Sequence, residues 1–296
     1  MNIWTKLLVF FPIWFLFSAL FYAVVFLIYP DSYSGSRAEF ELLISNNSGF
    51  LLISQAALFL ATFSAIFFVS NVLDKGKATF LNSMLNPEGF FFGIFLAAIA
   101  ILLIILILSF TTKIIITFNG FNIKILLYTV VFFLVAISEE AMSRGFIFAN
   151  LYNHSKSYIA ILFSSLIFSL MHAFNSSFNW IGMLNIILAG ILFCQLYLKR
   201  MNLSIPIGFH FSWNLIQGPM FGFSVSGFVT KGIFKIGSLS GTKFSFDGFG
   251  LEGSLISTLI IGIFIVYFFV TNTRKIISSK ILKLSATNVT ILKPEI

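Results

Sequence analysis

The sequence predicts an all-α fold: a polytopic integral membrane helical bundle of about eight transmembrane helices. Three observations carry this. Hydrophobic residues make up 58% of the 296 and charged residues only 9%, where a soluble domain has about 25% charged. Several apolar runs exceed the ~18 residues that mark a candidate span. The charges that exist gather in short connections and at the C-terminal end.

The elements follow in order. The first run, Leu7 to Tyr29, is too long for a signal-peptide core and lacks a small-x-small cleavage site. It reads as a retained span. Further runs cover approximately 50–72, 90–110, 121–152, 157–174, 180–198, 201–217 and 254–273. About 20 helical residues cross a 30 Å hydrocarbon layer. The fifth and seventh runs are short, and the seventh carries Pro206 and Gly208, so both belong inside the bundle. Gly145, Gly182, Gly190 and Gly208 permit close helix contact. The polar stretch 29–41 is a loop, and "NPEG" (86–89) is a turn before the third span. The connection from Gly218 to Gly253 is too apolar for a solvated linker and is expected to fold onto the membrane or over the bundle. Residues 1–120 form three N-terminal spans, 121–275 a core, and 276–296 a basic tail.

The net charge is +8. With no soluble basic domain to carry it, nucleic acid is not an expected partner; membrane lipids are. Eleven cations (Lys6, Lys75, Lys77, Lys156, Lys199, Arg200, Arg274, Lys275, Lys280, Lys283, Lys293) fall on the N-terminal side of eight spans, and six (Arg37, Lys113, Lys124, Lys231, Lys235, Lys243) on the other. The positive-inside rule then puts both termini of a multi-pass cell-membrane protein in the cytoplasm. Cys194 is the lone cysteine. It makes no intramolecular disulfide, and it reads as a small apolar filler.

Ionisable groups at membrane depth cost a few kcal/mol each, roughly, and are functional candidates by default. Three runs hold them: Glu139, Glu140 and Arg144 in the fourth, His172 in the fifth, His210 with Asn214 in the seventh. Glu140 and Arg144 are spaced i,i+4 and can pair; so are His210 and Asn214, which share a face. Glu139 is turned about 100° from Glu140, so one glutamate can enter the bundle while the other meets the arginine. Counted at about 1.5 Å per residue, these groups reach overlapping depths. A structural Glu140–Arg144 pair and a proton or ion pathway are the competing readings. His154 lies in a loop. No Ser-His-Asp or Cys-His set is apparent, and Asp31, Asp74 and Asp247 all fall in loops, so no aspartyl dyad is available.

The three motifs, Glu139-Glu140-x-x-x-Arg144, Phe168-x-x-x-His172 and His210-x-x-x-Asn214, resemble in kind and order the CPBP family of intramembrane proteases. That family includes the type II CAAX prenyl endopeptidases and the Abi-type immunity proteins. The resemblance covers roughly 125–218; "NLIQGPMFGFSVSG" and "FGLEGS" also look like bacterial members. It implies cleavage of peptide bonds near the membrane surface, in a prenylated CAAX protein or another membrane-tethered peptide. By the same resemblance Glu139 and His172 activate the attacking water. His210 and Asn214 bind the oxyanion or complete the site, and Glu140 and Arg144 support it. The metalloprotease label of the family implies Zn²⁺ on Glu139, His172 and His210 with an open position for water. HExxH is absent, and a metal-free Glu/His mechanism is also compatible. A non-proteolytic scaffold or immunity protein on the same fold is the alternative, and a coupled transporter a third.

Overall fold

A computed structural model describes residues 1–30, 43, 47–75, 86–112, 114–238 and 248–291, with side chains as far as Thr273. The described residues hold eight helices of 12 residues or more. They are α1 (Ile3–Ile28), α2 (Ser48–Phe67, widening into a π turn at Phe68–Leu73), α3 (Pro87–Thr112) and α4 (Lys124–Glu140). α4 runs on without a break through a π segment, Ala141–Phe148, to His154. Then come α5 (Ser157–Met171), α6 (Trp180–Arg200), α7 (Ser204–Leu215, with a π turn at Ile216–Met220) and α8 (Leu255–Ile291).

Local chemistry sets several starts. Asn2, Asn47 and Asn179 are N-caps whose side chains accept from Thr5 N, Phe50 N and Gly182 N, satisfying amides a first turn leaves open. Asn86 Oδ1 does the same for Gly89 N. α6 stops at Met201, which takes the left-handed conformation at φ 52°.

Six helices are long and apolar enough to cross a membrane: α1 to α4, α6 and the Leu255–Thr273 part of α8. This is a multi-pass membrane protein with six such helices among the described residues, where the sequence predicts about eight spans. The fifth and seventh runs form α5 and α7, of 15 and 12 residues. At about 1.5 Å per residue neither covers a 30 Å layer by itself. α7 is instead almost wholly buried. It lies so close to α3 that a Cβ on Gly208 would collide with Phe90 O, and one on Gly93 with Ile205 O. Two glycines thus let one short polar helix be sheathed by an apolar one, which shields it from lipid. The outward faces stay apolar: Leu8, Phe15 and Leu20 on α1, Phe91, Phe95 and Leu106 on α3, Ile263 and Phe269 on α8.

Polar contacts gather one end of the bundle. The Met1 amine and Lys6 Nζ donate to Asp74 at 2.8 and 2.9 Å, and Lys6 also to Asn150 at 2.9 Å. Arg200 meets Glu88 at 3.1 Å, and Asn86 N donates to Ser204 Oγ at 2.8 Å. The start of α1, the ends of α2, α4 and α6 and the starts of α3 and α7 therefore share that end. Asn272 donates to Gln195 O at 2.9 Å, bringing the described end of α8 back toward it. The amine and Lys6 together hold the Asp74 carboxyl below its usual range.

At the opposite end the all-α bundle carries one small addition that the sequence reading did not include. β1 (Ile114–Phe118) and β2 (Phe234–Ser238) form a two-stranded antiparallel sheet, with Ile116 opposite Ile236. Its strands come from connections more than a hundred residues apart. The 218–253 connection does fold back over the bundle: Val225 bridges Phe228 and Gly250, and Ser226 O accepts from Asn175 Nδ2 at 2.9 Å. Residues 239–247 of it, the loop 31–42 with Arg37, and Lys77, Lys113 and Lys243 lie outside the described residues.

Candidate active site

The two glutamates sit where α4 widens from α into π geometry, a local change frequent at functional sites. Consecutive side chains on a helix diverge, and these go to different partners. Glu140 and Arg144 are both fully buried, with Arg144 Nη1 donating to Glu140 Oε1 at 2.9 Å. Arg144 Nη2 reaches Gly190 O at 3.3 Å. The guanidinium lies 4.2 Å from the Phe168 ring centre and 4.8 Å from that of Phe193. Two aromatic faces, one carboxylate and one carbonyl thus surround a cation that lipid would not accept.

Glu140 Oε1 has a second partner, His210 Nδ1, at 3.1 Å. A carboxylate accepts, so Nδ1 carries the proton and Nε2 presents its lone pair. His172, which caps the end of α5, places Nδ1 2.8 Å from Phe168 O. A carbonyl also only accepts, so here too Nε2 is the bare nitrogen. Both Nε2 atoms face Glu139: Oε2 lies 3.7 Å from that of His172 and 3.8 Å from that of His210. These distances exceed a direct hydrogen bond. Glu139 Oε2 is buried and accepts no hydrogen bond from the protein. Phe193 stacks on His210 at 5.4 Å, and the Phe168 centroid is 4.9 Å from His172, so the two rings that hold the arginine also orient the imidazoles.

Asn214, one turn beyond His210, is buried and lines a cavity of about 40 Å³ with His172, His210, Ser226 and Glu252. That is room for about three or four waters at about 10–15 Å³ each. Glu252 stands in the turn Leu251–Gly253 before α8. Its Oε1 accepts from Trp213 Nε1 at 3.0 Å and Gln217 Nε2 at 2.6 Å, both on the helical run that carries His210. Asn185 Nδ2 holds the same turn through Glu252 O and Ser254 O at 2.7 and 2.8 Å. Burial pushes the Glu252 carboxyl above its usual range. On the other flank a larger cavity, about 180 Å³, opens beside Glu139 and His172 and is walled by Trp14, Leu58, Thr62, Met142 and Met171.

One carboxylate oxygen and two imidazole lone pairs form a donor set of the zinc type, each His held at its other nitrogen by an acceptor as metal-bound His commonly is. Among the described residues, however, no group of three or more His, Cys, Asp or Glu is drawn together as a metal site.

Of the residues singled out in the sequence, Glu140 bonds Arg144 and His210 directly, Glu139 faces His172 and His210 across 3.7 and 3.8 Å, and Asn214 joins them through the shared cavity. His154 is exposed at the end of α4 and Cys194 is buried in an apolar cluster. Glu252 escaped the sequence reading as a site residue, although it is an acid set between glycines in an apolar stretch. Trp14, Leu58 and Thr62 carried no signal, because apolar and hydroxyl residues on a span look alike wherever they face.

Residues 121–216 match the family model described as Type II CAAX prenyl endopeptidase Rce1-like. The match covers about a third of the chain and takes in all seven motif residues, Phe168 included. No curated protein and no solved structure matches the chain.

Proposed function

We propose that the protein is an intramembrane endopeptidase that hydrolyses membrane-tethered peptides, of CAAX type or another, with a water activated by Glu139 and His172. The observation that carries this is Glu139 Oε2, a buried acceptor without a donor, facing two imidazole nitrogens across a gap of 3.7–3.8 Å. A water in that gap donates to the carboxylate, so the carboxylate can take its proton as the oxygen attacks the scissile carbonyl carbon. The Asn214 amide donates to the oxyanion, and His210, held at Nδ1 by the Glu140 carboxylate, completes the site. Glu139 then returns the proton to the leaving amine, and the C–N bond breaks. Arg144 holds Glu140 in place through the 2.9 Å bond.

Where Zn²⁺ is bound, Glu139, His172 and His210 hold it and it supplies Lewis-acid polarisation of water and carbonyl. Metal analysis of the purified protein tests that part separately. The lysine and arginine distribution supports a cytoplasmic location for both termini. The test of the reaction is incubation of purified protein with membrane-tethered peptides, prenylated and not, with products identified by mass. Wild type should yield one defined cleavage and Glu139→Ala none. No cleavage of any peptide by folded wild type would set this reading aside.

A further inference from the structure

We infer that the cavity of about 180 Å³ beside Glu139 and His172 is a subsite for one apolar side chain next to the scissile bond, its size set by Trp14 and Leu58. This rests on the proteolytic reading. It assigns a role to α1 and α2, which lie wholly outside the matched residues 121–216.

Position comes first. The cavity is bounded by the same Glu139 and His172 that flank the gap for the attacking water, so a peptide held for attack there has a neighbouring side chain directed into it. Chemistry comes next. The wall is indole, leucine and two methionines, and its polar side chains other than Glu139 and His172 are already engaged. Trp14 Nε1 donates to Thr62 Oγ1 at 3.0 Å, Ser138 Oγ to Leu134 O at 2.6 Å, and Asn175 Nδ2 to Ser226 O. An anionic side chain would face Glu139. A cationic one would pair with the carboxylate that the water needs. An apolar one meets neither problem and covers apolar wall. Size decides the class. A dry apolar cavity of about 150 Å³ holds a benzene ring, so this one takes a branched aliphatic or a phenyl group, and Ala leaves it mostly empty. The Trp14–Thr62 bond ties α1 to α2 and holds the indole as the far wall, while Met142 and Met171 can adapt to what enters.

The experiment varies one residue on each side of the scissile bond among Ala, Leu, Phe, Asp and Lys in a membrane-tethered peptide. Wild type should prefer Leu or Phe over Ala on one side by roughly 10- to 200-fold in kcat/KM, the range a methylene or more in a fitted pocket gives, and reject Asp and Lys. Leu58→Trp should abolish that preference, so that Leu, Phe and Ala peptides are cleaved at similar rates. Trp14→Ala should shift the optimum to a larger group such as naphthyl. A diazirine analogue of leucine at that position, with Glu139→Gln protein, should crosslink to α1 or α2. Cleavage by wild type with preferences unchanged in both variants, and crosslinks elsewhere, would overturn the subsite and leave the proteolytic reading standing. Crosslinks to α1 or α2 without cleavage by wild type would support the binding site while removing the proteolysis.

Discussion

Glu140→Ala tests the division of labour between the adjacent glutamates through stability rather than rate. In the native site Glu140 Oε1 receives Arg144 Nη1 at 2.9 Å and His210 Nδ1 at 3.1 Å, with both members of the Glu–Arg pair fully buried. The alanine leaves the guanidinium with one long bond to Gly190 O, 3.3 Å, and the faces of Phe168 and Phe193. Breaking one partner out of a buried ion pair costs about 3–5 kcal/mol. The two aromatic faces persist in the variant, so the lower end, about 3 kcal/mol, applies. At the roughly 2–4 °C per kcal/mol of large domains, Tm in detergent should fall by roughly 6–12 °C. Glu139→Gln provides the contrast. Glu139 Oε2 accepts no hydrogen bond from the protein, so replacing its charge with a neutral amide should leave Tm equal or higher. Both are read by a thermal-shift assay on the same preparation. A Glu140→Ala protein that melts with wild type would refute the claim that Glu140 holds Arg144 in place.

Asn214→Ala should lower turnover about 100- to 1,000-fold by loss of an oxyanion donor with little change in Tm; equal kcat would remove Asn214 from the mechanism. Glu252 holds its proton to higher pH in the folded state than unfolded, because burial raises its carboxyl. Its contribution is thus largest at low pH and is lost as pH rises from the unfolded value, about 4.3, through the folded one. Glu252→Gln should flatten that decline, so the Tm curves of the two proteins converge or cross as pH rises; parallel curves would contradict it. Reporter fusions after Lys77 and Lys293 should both report cytoplasm and one near Lys235 the opposite side; an external signal from the C-terminal fusion would overturn the topology.

What was legible in the sequence was whatever is expensive in a membrane. Glu139, Glu140, Arg144, His172 and His210 stand out because lipid makes each of them costly unless paired, and the structure gathers all five. The i,i+4 phasing alone anticipated the Glu140–Arg144 bond and the divergence of Glu139. The span count was less legible. α5 is apolar like the longer spans, and the shortness of both α5 and α7 comes from where they stop. α5 ends at His172, whose ring turns back to Phe168 O, and α7 passes into a π turn at Ile216. The sheet was hidden because "IIITF" is an apolar, β-branched run between two helices, and its partner strand lies more than a hundred residues on. The wall of Trp14 and Leu58 was invisible, since nothing in an apolar span marks which face meets a cavity and which meets lipid.

The most direct measurement is single-turnover cleavage of one membrane-tethered peptide by wild type and Glu139→Gln, each shown by its melting curve to be folded. The substitution keeps the side chain's shape and removes the base. Cleavage should fall by roughly 100- to 10,000-fold, the contribution of a positioned general base, with Tm unchanged or raised. Equal rates for the two proteins would contradict a water activated by Glu139 and with it the site as the centre of the reaction.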